Sequence, residues 1–402
     1  MQPLENLRIV DLTRALAGPY CTMMLGDLGA DVIKIERPGR GDESRGWGPP
    51  FVGEPYGPYP GESAYFIAAN RNKRSLTVNL KNPKGQEIVR GLVARADAFV
   101  ENFRTGVLDG MGLGYDDLRA INPRLVYCSV SGYGRTGPYA ERPGYDFVVQ
   151  AEGGMMGITG PKEGPPYRVG IPIVDITAGM FAATAILAAL RARDVTGEGQ
   201  WIDLSLFDTQ AALLTNVASN HLVGDQEHRR LGNAHPSITP YEAFRARDRW
   251  FALAAANERQ WAILCQVIDR PDLKDDPRFA DNGRRVKNRA ALRQILDEAF
   301  LARDAGEWLD ALRQAGLPCG PINTIPEVFD HPQAEARELV LEAHHPTAGT
   351  LRFPGFPYKL SATPAAVRRP PPRLGQHTAE ILQEVLGHSA EEVAAFANRG
   401  DI

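Results

Sequence analysis

The chain has 402 residues, 43% hydrophobic and 23% charged, with a formal net charge of −4. Its length exceeds one simple core and predicts two domains, while the balanced charge leaves no lysine/arginine block as a nucleic-acid or membrane footprint. The four cysteines (Cys21, Cys128, Cys265, Cys319) show neither CxxC nor Cys/His spacing, which argues against zinc and a disulfide scaffold, and no secretory signal or membrane-length apolar run is read, so a cytoplasmic location is expected.

In chain order, Leu7–Leu12 predicts a strand, Gly18-Pro19 opens a helix over Tyr20–Leu28, and Asp31–Glu36 alternates as a second strand. This βαβ unit predicts a parallel α/β sheet, whose ligand loops sit at the carboxyl ends of the strands. Two loops fall there, Thr13–Gly18 and Arg37–Gly41. Gly39–Gly61 reads as a loop. Asn70–Arg74 stands at the entry to a strand over Ser75–Leu80, either gripping phosphates or forming a solvated turn. A helix over Lys84–Ala96, a strand over Ala98–Phe103, a short helix over Asp116–Ile121 and a strand over Leu125–Val130 follow. Gly132–Gly137 then matches GxGxxG, but Pro138 and Pro143 come before any helical pattern, which argues against a nicotinamide or flavin site.

Gly153–Met180 is a Gly/Pro-rich run ending in the apolar piece Ile171–Val174, then Asp175, then about twenty residues of helical composition. A carboxylate on a first helical turn gains roughly 0.3–1 kcal/mol from the macrodipole, which predicts an ionised Asp175 suited to nucleophilic attack. The alternative is that Asp175 is an N-cap. Downstream, Trp201–Phe207 predicts a strand and Thr209–Val223 a helix, and Gly224–Pro240 reads as a linker. Tyr241–Ala256 predicts a hairpin, followed by helices over Glu258–Ile268, Asn288–Leu301 and Ala305–Ala315. These define an α/β organisation of a discontinuous first domain, 1–224 with 329–402, and a smaller inserted one, 225–328.

Taken in order, LAGPYCTMMLGDLGADVIKIERPGRGDESRGWGPP, NRNKRSLTVNLKNPKG, VENFRTGVLDGMGLGY, GYGRTGP, VDITAGM, TGEGQWIDLSL, GLPCGPI and LGQHT resemble the class III CoA-transferases, the formyl-CoA:oxalate and carnitine CoA-transferase family, over nearly the whole chain. WGPPFVG, PGYDFVVQAEGGMMGITGP and HPSITPYEAF are most similar to its succinyl-CoA:glutarate (dicarboxylate) branch. The resemblance implies a large Rossmann-like domain, a small α/β domain and an interlocked homodimer. It implies that CoA or acyl-CoA and a carboxylic acid are substrates, with no tightly bound cofactor, metal, nucleic acid or membrane. It assigns the catalytic aspartate to Asp175 and CoA contacts to Leu16, Ala17, Arg37, Val78, Asn79, Lys81, Asn102, Phe103 and Arg104, with Tyr145 and Asp146 near the acyl end. For the charged members the competing reading is surface charge, for Leu16, Ala17, Val78 and Phe103 core packing, for Asn79 and Asn102 a turn hydrogen bond, and for Tyr145 and Asp146 a structural pair. Two departures stand out. Gly110 occupies the place of a CoA-contacting arginine, and no glycine-repeat loop follows Pro240, which makes a formyl donor a poorer match.

The implied mechanism passes through an aspartyl anhydride and an aspartyl-CoA thioester, with backbone N–H groups near Gly153-Gly154 as candidate oxyanion donors. Two rivals are weighed. A 2-methylacyl-CoA racemase shares the fold but needs acid/base groups flanking an α-carbon, and a tyrosine such as Tyr145, with an ordinary pKa of about 10, is a poor base. A non-catalytic acyl-CoA binding protein would leave thioesters unchanged.

Overall fold

The computed structural model describes residues 1–402. Contacts divide them into two units: Met1–Met155 with Val169–Leu222 and Ala336–Ile402, and Met156–Arg168 with Val223–Glu335.

The first unit is built on a six-stranded sheet. Its strands are β1 (Arg8–Leu12), β2 (Asp31–Glu36), β3 (Lys73–Thr77), β4 (Ala98–Glu101), β5 (Val126–Ser131) and β6 (Trp201–Ser205), in the order β3-β2-β1-β4-β5-β6. Every neighbouring pair is parallel. The connection order reverses between β1 and β4, and in such sheets a crevice opens beyond the carboxyl ends of the strands at that point. Both faces are covered, which is why the strands read as nearly continuous apolar runs. Ile9, Val32, Val100 and Cys128 pack on one face with the helices Ala17–Asp27 and Ile173–Thr196. Val10, Ile33, Phe99 and Tyr127 pack on the other with Ile88, Leu92, Leu118 and Ile381.

The most apolar 18 residues of the 24-residue helix Ile173–Thr196 have a mean hydropathy of 2.0, and the helix is long and apolar enough by composition to cross a membrane. This corrects the expectation that no such run exists; its apolarity is spread through alanines and scattered isoleucines rather than a leucine block. One stripe, Val174, Ala178, Ala182 and Ile186, is fully buried in the first unit. Gly179 lets it lie close to its neighbour: a Cβ there would stand 2.6 Å from the Ala17 carbonyl oxygen.

Asn70–Arg74 is not a solvated turn, and its cations are spent on carboxylates of the chain rather than left free for phosphates. All five side chains are buried. Arg71 pairs with Asp27 at 2.6 Å, Lys73 with Asp11 at 3.0 Å and Arg74 with Asp31 at 2.6 Å. The strand accordingly begins at Lys73 rather than Ser75. The LGQHT stretch pins the same edge strand: Gly375 N–H donates to Ser75 Oγ (2.9 Å) and Ser75 N–H to His377 Nδ1 (3.1 Å).

The second unit has a three-stranded antiparallel sheet, Cys319–Pro321, Trp250–Ala254 and Tyr241–Arg245, and a core of Phe244, Phe251, Trp261, Phe279, Phe300 and Trp308. Met156–Arg168 groups with it rather than with the rest of 1–224. Gly232 N–H bonds to Gly160 O at 3.0 Å, and the Arg230 guanidinium donates to Gly164 O at 2.8 Å.

Candidate active site

Asp175 lies in the first turn of Ile173–Thr196, whose N-cap position is Pro172, so it is not the cap. Asp146, from the helix Asp146–Glu152, does that work across space. Its Oδ1 accepts from Val174 N–H (2.8 Å) and Asp175 N–H (3.3 Å), and its Oδ2 accepts from Gln150 Nε2 (2.6 Å). Gln150 is fully buried and also accepts from Val169 N–H at 2.9 Å, which ties down the segment leading into the long helix. The Asp175 carboxylate accepts no hydrogen bond from the chain and lines a cavity of about 180 Å³. Burial, and then the facing charge of Asp146, push it up from its ordinary 3.8 to about 7. The macrodipole, worth under about 1 kcal/mol, loses to that combination. The expectation of a fully ionised Asp175 is therefore corrected: at neutral pH it sits near its midpoint.

The cavity around Asp175 is bounded by Leu16 and Ala17 after β1, Asn102, Phe103 and Arg104 after β4, and Tyr145. A second cavity, of about 750 Å³, takes in Arg37 after β2 and Val78, Asn79 and Lys81 after β3. Arg14, Glu43 and Phe103 belong to both. Eleven of the twelve residues named from the sequence thus line one of two adjoining cavities at the switch point, and Asp146 stands behind the first, buried. Two of the eleven spend polar groups on the chain itself: Asn102 on the Arg14 backbone (2.8 and 3.0 Å), and Asn79 on Lys81 N–H and Gly400 O (3.2 Å each). Arg37, Lys81 and Arg104 are exposed and engage no carboxylate, as are Arg14 and Arg40. Gly153 and Gly154 line neither cavity. Their N–H groups close the Asp146–Glu152 helix on Val149 O (2.7 Å) and Ala151 O (3.4 Å), which withdraws them as oxyanion donors.

Comparison with known proteins decides the family. The profile of CoA-transferase family III matches residues 4–378. The chain belongs to that family. It is 47% identical over 386 residues to succinyl-CoA:glutarate CoA-transferase of Mus musculus, covering 96% of this chain and 87% of that protein. It is 46% identical over 400 residues to the Homo sapiens protein of the same name, covering 100% and 90%. Among solved structures, a CAIB/BAIF family protein from Brucella suis superimposes with a TM-score of 0.84 at 42% identity, covering 96% of this chain and 99% of that one. This chain is an enzyme of the transferase class, and its CoA-transferase homologues use acyl-CoA as substrate.

In this family III transferase the loops that line the cavities stand on a buried ionic lattice. Lys34 Nζ donates to Thr13 O (2.9 Å) and Asp42 Oδ2 (2.8 Å), while Asp42 Oδ1 accepts from Ala15 N–H (3.1 Å). Glu36 takes the Arg45 guanidinium at 2.7 and 2.8 Å, and its Oε2 accepts Asp42 N–H at 2.9 Å. Burial raises Asp11, but the ammonium groups of Lys73 and Lys34 overcome it and hold this carboxyl well below its usual range. Burial pushes Lys73 down to about 8. Sequence reasoning missed Arg14, Arg40, Glu43 and Tyr65. Arg14 and Arg40 carried a signal, since they fall inside the two strand-end loops read as ligand loops, Thr13–Gly18 and Arg37–Gly41. Tyr65 carried none: it is placed by the fold, with its phenol pushed up to about 12 by burial and by the Asp175 and Asp146 carboxylates.

Proposed function

We propose that Asp175 is the covalent nucleophile in the exchange of CoA between succinyl-CoA and a dicarboxylic acid, glutarate being the acid in the names of the similar proteins. A carboxylate oxygen of Asp175 attacks the thioester carbonyl. The C–S bond breaks with its electron pair on sulfur, giving a succinyl-aspartyl anhydride and CoA thiolate. The thiolate attacks the aspartyl carbonyl and succinate leaves, giving an aspartyl-CoA thioester. The acceptor carboxylate and the thiolate then repeat the two exchanges in reverse, releasing the new acyl-CoA and free Asp175. Atoms and electrons balance without redox chemistry.

The observation that carries this reading is the free, half-buried Asp175 carboxylate in a cavity adjoining one lined by unpaired cations suited to the coenzyme's phosphates. The helix starting at Ala17 has no side-chain cap, so its first N–H groups remain for an anionic intermediate. A racemase is less well served: Asp146 spends its oxygens on three N–H groups, and Tyr145 is 63% exposed. A cytoplasmic homodimer, interlocked as in the resembling family, completes the reading. The exposed apolar side chains Phe147, Ile171, Met180 and Phe181 near Asp175 support the second copy.

The test is direct. Enzyme, succinyl-CoA and glutarate are mixed and glutaryl-CoA is followed by chromatography. Asp175→Asn is expected to lose about a thousandfold or more. Full activity in that variant, shown free of deamidation, overturns the assignment, and deuterium wash-in at the acyl α-carbon without an acceptor acid favours racemisation.

A further inference from the structure

The Gly132–Gly137 run and the residues after β4 share one structural task. Asn102 grips the Arg14 backbone at both ends, donating from Nδ2 to Arg14 O (2.8 Å) and accepting Arg14 N–H at Oδ1 (3.0 Å). The Phe103 backbone is held the same way. Its N–H donates to Glu101 Oε2 (2.8 Å) and its carbonyl accepts from Arg135 Nη1 (2.9 Å), while Arg135 Nη2 pairs with Glu101 Oε1 at 2.5 Å. Glu101 is buried, so this clamp is shielded from solvent. Ala15, next to Arg14, has φ +67°, a left-handed conformation disfavoured for a residue with a Cβ. Such strain persists where the surroundings over-determine the backbone, and it clusters at functional sites.

What this scaffold presents is one pair. The Arg14 guanidinium lies 4.7 Å from the centroid of the Phe103 ring. Both residues line both cavities, so the pair stands where the cation-lined cavity meets the one around Asp175. Arg14 is exposed and has no carboxylate partner. A coenzyme with its phosphates at Arg37 and Lys81 and its thioester at Asp175 has to cross this place with its pantetheine arm, an uncharged chain with two amide carbonyls and apolar methyl groups. A planar guanidinium offers five donors and no acceptor, matching those carbonyls, and an aromatic face matches the methyl groups.

We propose that Arg14 and Phe103 form the threshold that holds the pantetheine arm: Phe103 is its apolar floor, Arg14 donates to its amide carbonyls, and Arg135 is the positioning residue that sets Phe103. This rests on the CoA-transfer reading and assigns a substrate-binding role to Arg14 and a positioning role to Arg135, both of which the family resemblance left without one.

The test compares succinyl-CoA with succinyl-pantetheine, which lacks the nucleotide and its phosphates. Arg14→Gln is expected to lower kcat/KM by about ten- to a hundredfold with succinyl-CoA, and by the same factor with succinyl-pantetheine. Lys81→Gln is expected to lower it with succinyl-CoA alone. Arg135→Lys, which keeps the charge but not the fork, is expected to act in the same direction, and the double variant to lose less than the product of the singles. An Arg14→Gln loss confined to succinyl-CoA means that Arg14 holds phosphate, and no loss with either donor means that it holds nothing; both overturn the threshold. Calorimetric titration with CoA and with pantetheine separates the two readings. If binding of CoA and of pantetheine both weaken in Arg14→Gln while the wild type transfers nothing, the transfer reading falls and the threshold stands. Normal transfer with indistinguishable CoA binding removes the threshold alone.

Discussion

Replacing Asp175 by asparagine should stabilise the protein, and only in a defined pH window. The carboxyl moves from 3.8 to about 7 on folding, because of burial and then Asp146. At about 1.36 kcal/mol per pH unit, this amounts to at most about 4 kcal/mol. The cavity admits solvent, which screens part of that, so about 1–3 kcal/mol is expected. The sign follows from linkage: an acid with a raised folded-state pKa leaves stability intact below its unfolded value and erodes it as pH rises toward the folded value. The wild type therefore loses stability between about pH 4 and pH 7, and the never-ionised asparagine does not. Thermal unfolding at pH 8 should give the variant a gain of about 2–12 °C, taking 2–4 °C per kcal/mol, with less than half of that gain at pH 5. Coincident melting at pH 8, or an equal gain at both pH values, would refute the reasoning. A nucleophile held at a cost to stability is a common feature of active sites.

Other outcomes follow from the same geometry. The kcat/KM of the wild type should rise with pH, half-maximal near 7, and the midpoint should fall in Asp146→Asn because one of the two causes of the shift is gone; a flat profile from pH 5.5 to 8.5 contradicts this. Gly179→Ala would place a Cβ 2.6 Å from the Ala17 carbonyl, so helix separation should cost about 1–3 kcal/mol and lower kcat more than it raises KM, Asp175 lying one turn away; unchanged melting and unchanged kcat argue against it. Lys34→Met strands Asp42 and the Thr13 carbonyl in the interior and should cost about 3–5 kcal/mol by urea titration; a loss below about 1 kcal/mol would mean that the lattice under the loops is not structural.

The sheet was largely legible because its strands are buried on both faces. Asp31–Glu36 was read with its observed bounds, and β1, β4 and β5 within two residues at either end. β3 slipped because hydropathy reads Lys73 and Arg74 as solvated, while Asp11 and Asp31 make them interior. The helix predicted over Thr209–Val223 breaks at Thr215, where φ is +38°, and nothing in that composition signals a break. Eleven of the residues that line the two cavities were named by motif and strand-end position. Motif could not reveal that Asp146, rather than Asp175, satisfies the start of the long helix, since that depends on two segments 28 residues apart meeting in space. Nor could it show that the Gly153 and Gly154 N–H groups are already spent on a helix end.

The central claim is that Asp175 becomes covalently acylated during transfer. The most direct measurement is mass spectrometry of the peptide spanning Asp175, after mixing the enzyme with succinyl-CoA and quenching with hydroxylamine. The account predicts a hydroxamate at Asp175 that forms only with the donor and disappears in Asp175→Asn. An unmodified peptide, from enzyme shown to be turning over in the same tube, would contradict it.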